Sequence, residues 1–429
     1  MDSVGLTVNS GERLMAGFLF DVKVLELADE KGEFCGKLFA GAGAEVLKVE
    51  PPGGNPTRAF GPFYHDTPHP DRSLYFWHYN CGKRGITLDI QAPEGISLLK
   101  RLIAQSDVLL DALPLDTLAR LGLDWTALQQ LNPRLIYVAL TPFGRSGPWR
   151  DYKATDLIHL ALGGQMMCCG YDPQADGTYD TPPIAPQMWH AYHIAGNQAF
   201  IAAVGALIGR EATGMGEMID LPIHQAVSVC TEIDVPYWIY NRTPCYRQTG
   251  RHAQPAIGAE VQFRTQDGRY SIVLPNPFPG GYETLVHFLD EKGYAGDLLS
   301  EHYKDPQNRK GLAFARHFAE IQAECVAAFG MEDIWREAQS RGIPWAPIRL
   351  PEENLQDEQW RVRATFCEVE HPELGETFTY VGAPMLSHEC AWRTGPRAPL
   401  VGEHNEAVYC GQLGLSREDV ARLRAQGVV

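Results

Sequence analysis

The stretch from Asp180 to Glu211 holds no acidic residue between its ends, although it opens a long apolar helix with residues that could do chemistry. Those residues are His190-Ala191-Tyr192-His193. Two histidines three apart have metal-ligand side chains, but no HExxH pattern or third ligand at a metal-site spacing accompanies them. Stacking or hydrogen bonding is the better reading, and no metal is expected. Carboxylates lie upstream. Asp29-Glu30-Lys31 ends the first strand, a catalytic location in open α/β sheets, and reads equally as a charged loop. Asp156 precedes an apolar helical segment over 157–162 and reads as a helix-initiating acid stabilised by the dipole.

The elements that must position these residues follow from apolar periodicity. Residues 22–28 (VKVLELA) and 45–49 (EVLKV) read as strands flanking a helix over 34–40, a βαβ unit that implies a parallel sheet. A helix over 93–104, a strand over 108–110, short helices over 115–121 and 125–131, and a buried strand over 135–140 follow. The first 145 residues therefore predict a doubly wound α/β domain. Residues 196–210 predict a long buried helix, since no charge occurs before Arg210. After Asp234 the texture changes to Tyr, Pro, Arg and Gln. Strand-like pieces at 261–264 and 270–274 flank the turn 266–268, and helices are predicted at 282–289, 312–329 and 331–341. Two short strands, 366–370 and 378–380, and a helical end, 403–429, complete the chain. The expected organisation is a large Rossmann-like domain over 1–230, a smaller α+β domain over 235–350, and a linker with a C-terminal return to the large domain over 351–429.

Composition bounds the partners. The chain has 429 residues, 45% of them hydrophobic, and a formal charge of −16, which excludes a nucleic-acid surface of clustered Lys and Arg. No uninterrupted apolar run of about 18 residues predicts a membrane span. The N-terminus carries Asp2 and Glu12 without a basic region before an apolar core, so no signal peptide is expected. Ten cysteines form no CxxC pair, as in a reduced, cytoplasmic protein.

Eight blocks in order carry a further signal: EVLKVEPPGGNPTR (45–58), NCGKRGITLD (80–89), DVLLDALPLDTLARLG (107–122), LIYVALTPFGRSGP (135–148), GMGEMIDLPIHQ (214–225), GIPWAP (342–347), EHPELG (370–375) and RAPLVGEH (397–404). Together they resemble the class III CoA-transferase family, the formyl-CoA and carnitine CoA-transferases, across nearly the whole chain. The resemblance implies coenzyme A or an acyl-CoA as substrate, with no permanently bound cofactor, and a small carboxylic acid as acceptor. It implies phosphate contacts at Arg120 and Lys153, and CoA contacts at Leu88, Asp89, Tyr152 and Thr155. Each cation also reads as a solvated surface charge, and Lys83-Arg84 as an anchor of its own turn. Acceptor specificity is expected from loops around 246–254 and 275–281.

In the family an Asp attacks the acyl-CoA thioester, because a carboxylate forms an anhydride activated for each later step. Counted back from Gly196 and from Gly214-Met215-Gly216, its position here falls on Tyr192. A tyrosine cannot form that anhydride. Asp156 and Glu30 are the alternative carboxylates. CoA racemases of the superfamily place a His before the acid of the Asp156 segment, where this chain has Thr155, so racemisation is disfavoured. Three readings stand. The chain is a non-catalytic subunit of a heteromeric transferase, such as one acting on benzylsuccinate, paired with an Asp-bearing paralogue in an interlocked-ring dimer. Alternatively it is an active homodimer using Asp156 or Glu30, or a CoA-binding protein without turnover.

Overall fold

The computed structural model describes residues 17–174, 176–231, 233–275, 279–388 and 390–429. The N-terminal residues read for a signal peptide lie outside this range. The chain forms two compact units: Met1–Asp156, Trp189–Ala226 and Asp357–Val429 in one, Leu157–Met188 and Val227–Gln356 in the other.

In the first unit, short apolar strands alternate with helices, as a parallel sheet requires. The strands are β1 (Lys23–Leu27), β2 (Glu45–Glu50), β3 (Arg84–Thr87), β4 (Val108–Asp111), β5 (Ile136–Thr141) and β6 (Met218–Pro222). They pair in the order β3-β2-β1-β4-β5-β6, every neighbour parallel. This is the doubly wound α/β fold. The order reverses between β1 and β4, where ligand crevices form at the carboxyl ends of strands. The sixth strand corrects one expectation. β6 pairs with β5 from Tyr137↔Met218 to Thr141↔Pro222, so the sheet is not complete within the first 145 residues.

Helix α1 (Glu33–Gly41) crosses a long helix, His190–Thr213, named α2 here. Gly196 allows the approach: a Cβ there would stand 3.2 Å from the backbone nitrogen of Cys35 and 3.0 Å from Phe34. α2 also packs on β5 and β6. Among the described residues it is the one helix long and apolar enough to span a membrane by length and composition. It is not buried all round, contrary to expectation. Ala195, Ala199 and Ala203 are fully covered, while Ile201 and Ile208 on the other side are 63% and 70% exposed.

Beneath α1 lies a fully buried ionic cluster. Lys48 pairs with Glu26 at 3.0 Å and Glu33 at 2.8 Å, and Lys83 pairs with Glu26 at 2.7 Å. Lys83 Nζ also donates to the Glu33 carbonyl and to Asn80 Oδ1, both at 2.9 Å. Thr57 Oγ1 donates to Glu33 at 2.7 Å, and Arg58 Nε to Glu50 at 2.6 Å. The polar residues of blocks 45–58 and 80–89 are thus largely spent on holding the sheet together. The edge strand β3 is covered by the C-terminal segment: Asn405 Oδ1 accepts from Thr87 N at 2.9 Å, and Tyr409 Oη donates to Thr87 O at 2.6 Å. That segment is not one helix. A π-helical turn at Ala407–Gln412 precedes the helix Arg417–Ala425.

The second unit is α+β. Antiparallel strands Gln262–Arg264, Tyr270–Ile272 and Ala346–Pro347 carry helices Gly281–Glu291, Gly311–Ala327 and Met331–Ser340. Its core centres on Phe288, Leu285, Ile343 and Trp345, whose indole N–H donates to Leu274 O at 3.2 Å. A separate hairpin joins Tyr246–Gln248 to Arg251–Gln254.

Candidate functional site

The start of α2 is built by a left-handed residue and a carboxylate. Trp189 precedes the helix at φ 64°, and Asp156 Oδ1 accepts the backbone N–H of Tyr192 at 3.1 Å. Backbone N–H groups of Ala191 and Trp189 also bear on the Asp156 carboxylate. Asp156 is therefore the N-terminal cap of α2, satisfying donors a helix leaves orphaned. Burial raises its carboxyl above the usual range, while those N–H bonds oppose the rise. Its oxygens are committed to the backbone.

Tyr192 is 3% exposed and stacks on Trp189, ring centres 5.8 Å apart at 22°. Burial, with Glu30 and Asp156 nearby, pushes its phenol well above its ordinary value. Trp189 in turn stacks on Phe60 at 5.8 Å and leans on Tyr75 at 5.4 Å. His193 lies on Phe34 at 4.2 Å, and its Nε2 is 2.8 Å from Tyr79 Oη. Burial lowers His193 to about 4, with Lys37 and His190 adding to the effect, so its imidazole is neutral at pH 7. His78, 3.1 Å from Lys37 Nζ, falls to about 3 for the same first reason. Among the described residues no three His, Cys, Asp or Glu are grouped to hold a metal.

Glu30 is half-buried just beyond β1, on the strand-order reversal. Burial and then Asp29 raise its carboxyl, against Lys31, which pairs with Asp29. Across the reversal stands a residue the sequence reading did not single out. Asp111 ends β4, accepts from Tyr137 Oη at 2.7 Å and Leu113 N at 2.9 Å, and is pushed up to about 6 by burial. The only sequence signal was an acid closing the apolar run VLLD.

The residues expected to hold CoA lie in the segments that follow β3, β4 and β5 in the chain. Leu88 is 1% exposed and belongs to the core. Asp89 donates its N–H to Val428 O at 2.7 Å and accepts from Gln91 N at 2.9 Å. Arg120 folds back on Leu115 O at 3.0 Å and Thr117 Oγ1 at 3.1 Å. Tyr152, Lys153 and Thr155 are exposed. Leu88 and Asp89 follow β3, separated from β4 and Arg120 by β2 and β1.

In the second unit, the hairpin over 246–254 contributes Arg251 to a cavity of about 330 Å³, also lined by Asp172, Phe263 and Arg316. Of the loop over 275–281, residues 276–278 lie outside the described residues.

An open α/β sheet of this strand order, with acids at its reversal, is of the Rossmann type, a fold that binds ligands outside the carboxyl ends of its strands. The family model of CoA-transferase family III matches residues 19–405, and the chain belongs to that family. It is 31% identical over 420 residues to a succinyl-CoA–D-citramalate CoA-transferase of Chloroflexus aurantiacus, covering 96% of this chain and 98% of that protein. It is 27% identical to the succinyl-CoA:(R)-benzylsuccinate CoA-transferase subunit BbsE of Thauera aromatica, covering 94% and 97%. Among solved structures, a CAIB/BAIF family protein from Brucella suis superposes with a TM-score of 0.77 at 25% identity, covering 91% of this chain and 98% of that one.

Proposed function

We propose that this chain is a cytoplasmic subunit of a class III CoA-transferase that moves CoA from an acyl-CoA, such as succinyl-CoA, to a carboxylic acid, and that its own site does not form the covalent intermediate. The observation that carries the reading is the pair Tyr192–Asp156: the position that family spacing gives to the nucleophile holds a buried phenol, and Asp156, one of the acids beside it, caps the helix. A paralogous subunit bearing the Asp supplies the chemistry, in an interlocked dimer or a dimer of such pairs. One relative is itself a transferase subunit, which fits this assignment. In this reading Arg120 and Lys153 meet the phosphates of CoA, and Asp89, Tyr152 and Thr155 line its path, while Leu88, buried in the core, has only its backbone to offer.

A specific observation favours one other reading. Glu30 is half-buried at the strand-order reversal, beside Tyr192, and its raised carboxyl is not spent as a cap. An active homodimer would use it as nucleophile. Purification from the native source separates the two. A co-purifying subunit of similar size with Asp at the position of Tyr192 is expected; a homodimer that turns over alone, with hydroxylamine trapping an adduct at Glu30, overturns the subunit reading.

A further inference from the structure

The cavity of about 330 Å³ in the second unit has a polar lining that is only partly spent on the protein. Arg251 lines it from the second strand of the hairpin, with a side chain only 10% exposed. Two edges of its guanidinium are used: Nη2 pairs with Asp172, and Nε donates to Gln248 Oε1 at 3.2 Å. Both partners are themselves held. Gln248 Oε1 also accepts Gly258 N at 2.6 Å, and Asp172 N donates to Thr249 Oγ1 at 3.2 Å. The third edge is left over. Arg251 Nη1 is buried and has no hydrogen-bond partner among the described residues. A buried donor on a charged group is costly to leave unmade, so such donors are nearly always satisfied. Here the acceptor can come from the cavity.

The helix Gly311–Ala327 supplies another wall. Arg316, Ala319, Glu320 and Ala323 recur at helical spacing, so they share one face, and all four line the cavity. Arg316 and Glu320 are exposed, as is Glu260 just before the strand Gln262–Arg264, and none of the three enters an ion pair among the described residues. Ile257 and the buried Phe263 add apolar surface. Charge then decides the ligand. With Asp172 committed to Arg251, two positive groups remain, Arg251 Nη1 and Arg316, against two carboxylates, Glu260 and Glu320. A plain carboxylate would answer the guanidinium groups but stand among like charges, and a plain amine would do the reverse. A molecule carrying both charges on a short apolar body complements the whole lining. At about 30 Å³ per water-sized group, the cavity admits roughly ten non-hydrogen atoms.

We propose that this cavity binds an aliphatic α-amino acid as its zwitterion. The carboxylate is held by Arg251 Nη1 and Arg316, the ammonium by Glu260 and Glu320, and the side chain lies against Ile257 and Phe263. Asp172 and Gln248 are positioning residues that keep the guanidinium edge turned to the ligand. The site lies within the second unit alone, and it is the same whichever subunit carries the nucleophile of the transferase.

Isothermal titration of the purified full-length protein tests it with three probes: L-leucine, 4-methylpentanoate, which lacks the ammonium, and 3-methylbutylamine, which lacks the carboxylate. Saturable binding of L-leucine is expected, with each analogue at least about 10-fold weaker, as for loss of a hydrogen-bonded charge. Arg251→Gln should weaken L-leucine by a similar factor. That change also leaves Asp172 unpaired, so two variants at exposed positions, where substitution spares the fold, accompany it. Arg316→Gln should weaken both L-leucine and 4-methylpentanoate. Glu260→Gln/Glu320→Gln should bring L-leucine down to the affinity of 4-methylpentanoate. A wild-type protein without saturable L-leucine binding overturns the site. Binding of 4-methylpentanoate as tight as that of L-leucine overturns the zwitterion and makes the cavity a carboxylate site. Wild-type affinity for L-leucine in both exposed variants places the ligand elsewhere and overturns it as well. None of these results bears on the transferase reading, which is tested by subunit composition and covalent labelling.

Discussion

Asp156 Oδ1 accepts the backbone N–H of Tyr192 at 3.1 Å, so one of the acids beside the buried Tyr192 is bound to that residue's own backbone. A capping carboxylate loses its bonds to the helix when its oxygen attacks a thioester. That bond ties the Asp156 carboxylate to the backbone of Tyr192.

Asp156→Ala should therefore act on stability and not on covalent chemistry. Loss of a cap costs about 1 kcal/mol, to be read from the urea midpoint. Intact-mass spectrometry after acyl-CoA and hydroxylamine should show no added mass on either wild type or variant. A hydroxamate at Asp156 in the wild type would make it the nucleophile.

Tyr192→Asp returns a carboxylate to the head of α2. Its N–H is already capped and the helix dipole favours an anion there, although Glu30, Asp29 and Asp156 oppose one electrostatically. The variant should become covalently labelled by succinyl-CoA, with a mass increment corresponding to bound CoA that borohydride removes, while wild type stays unlabelled. An unlabelled variant that still binds CoA would show that more than the nucleophile has been lost.

Four strands of the sheet, β1, β2, β4 and β5, were legible in the sequence because each is an apolar run bounded by turns. β3 and β6 were not: RGIT opens on a charge inside a block that reads as a turn, and MIDLP carries one charge and one proline in five residues, so both are recognisable only by their pairing with β2 and β5. The exposed side of α2 was missed for a related reason: Ile201 and Ile208 look like core residues until the packing is known. At the site, the position of Tyr192 came from motif spacing, but the bond of Asp156 to Tyr192 N and that of Tyr137 Oη to Asp111 depend on contacts between segments far apart in sequence. Lys83 posed the reverse problem. A basic residue in a turn can hold a phosphate or a carboxylate, and here it is buried on Glu26.

Lys83→Met should accordingly destabilise the fold strongly. Removing one partner from a buried ionic cluster leaves an uncompensated charge and costs about 3–5 kcal/mol. Arg84, next in sequence, pairs with Glu45 at the surface, 31% exposed, and Arg84→Ala should cost under about 1 kcal/mol. Chemical denaturation of both variants checks the contrast. Equal losses would mean that Lys83 is not anchored on Glu26.

The pH dependence of stability carries the mark of Asp111. Its carboxyl is raised to about 6 by burial, against about 3.9 in an unfolded chain. Between those values the folded state holds a proton that the unfolded state has released, so this group's contribution is fully present below about pH 4 and is lost as pH rises through 6. A shift of about two units corresponds to about 3 kcal/mol. His193 works in the opposite direction. Lowered to about 4, its neutral form favours the fold above about pH 6.5, and that contribution is lost as pH falls toward 4. Asp111→Asn keeps an oxygen for Tyr137 Oη and removes the ionisation. It should raise stability at pH 7 relative to pH 4.5, compared with wild type, in urea titrations at the two values. If the variant and wild type lose stability in parallel across that interval, Asp111 ionises normally in the folded protein and the switch-point acid is not perturbed.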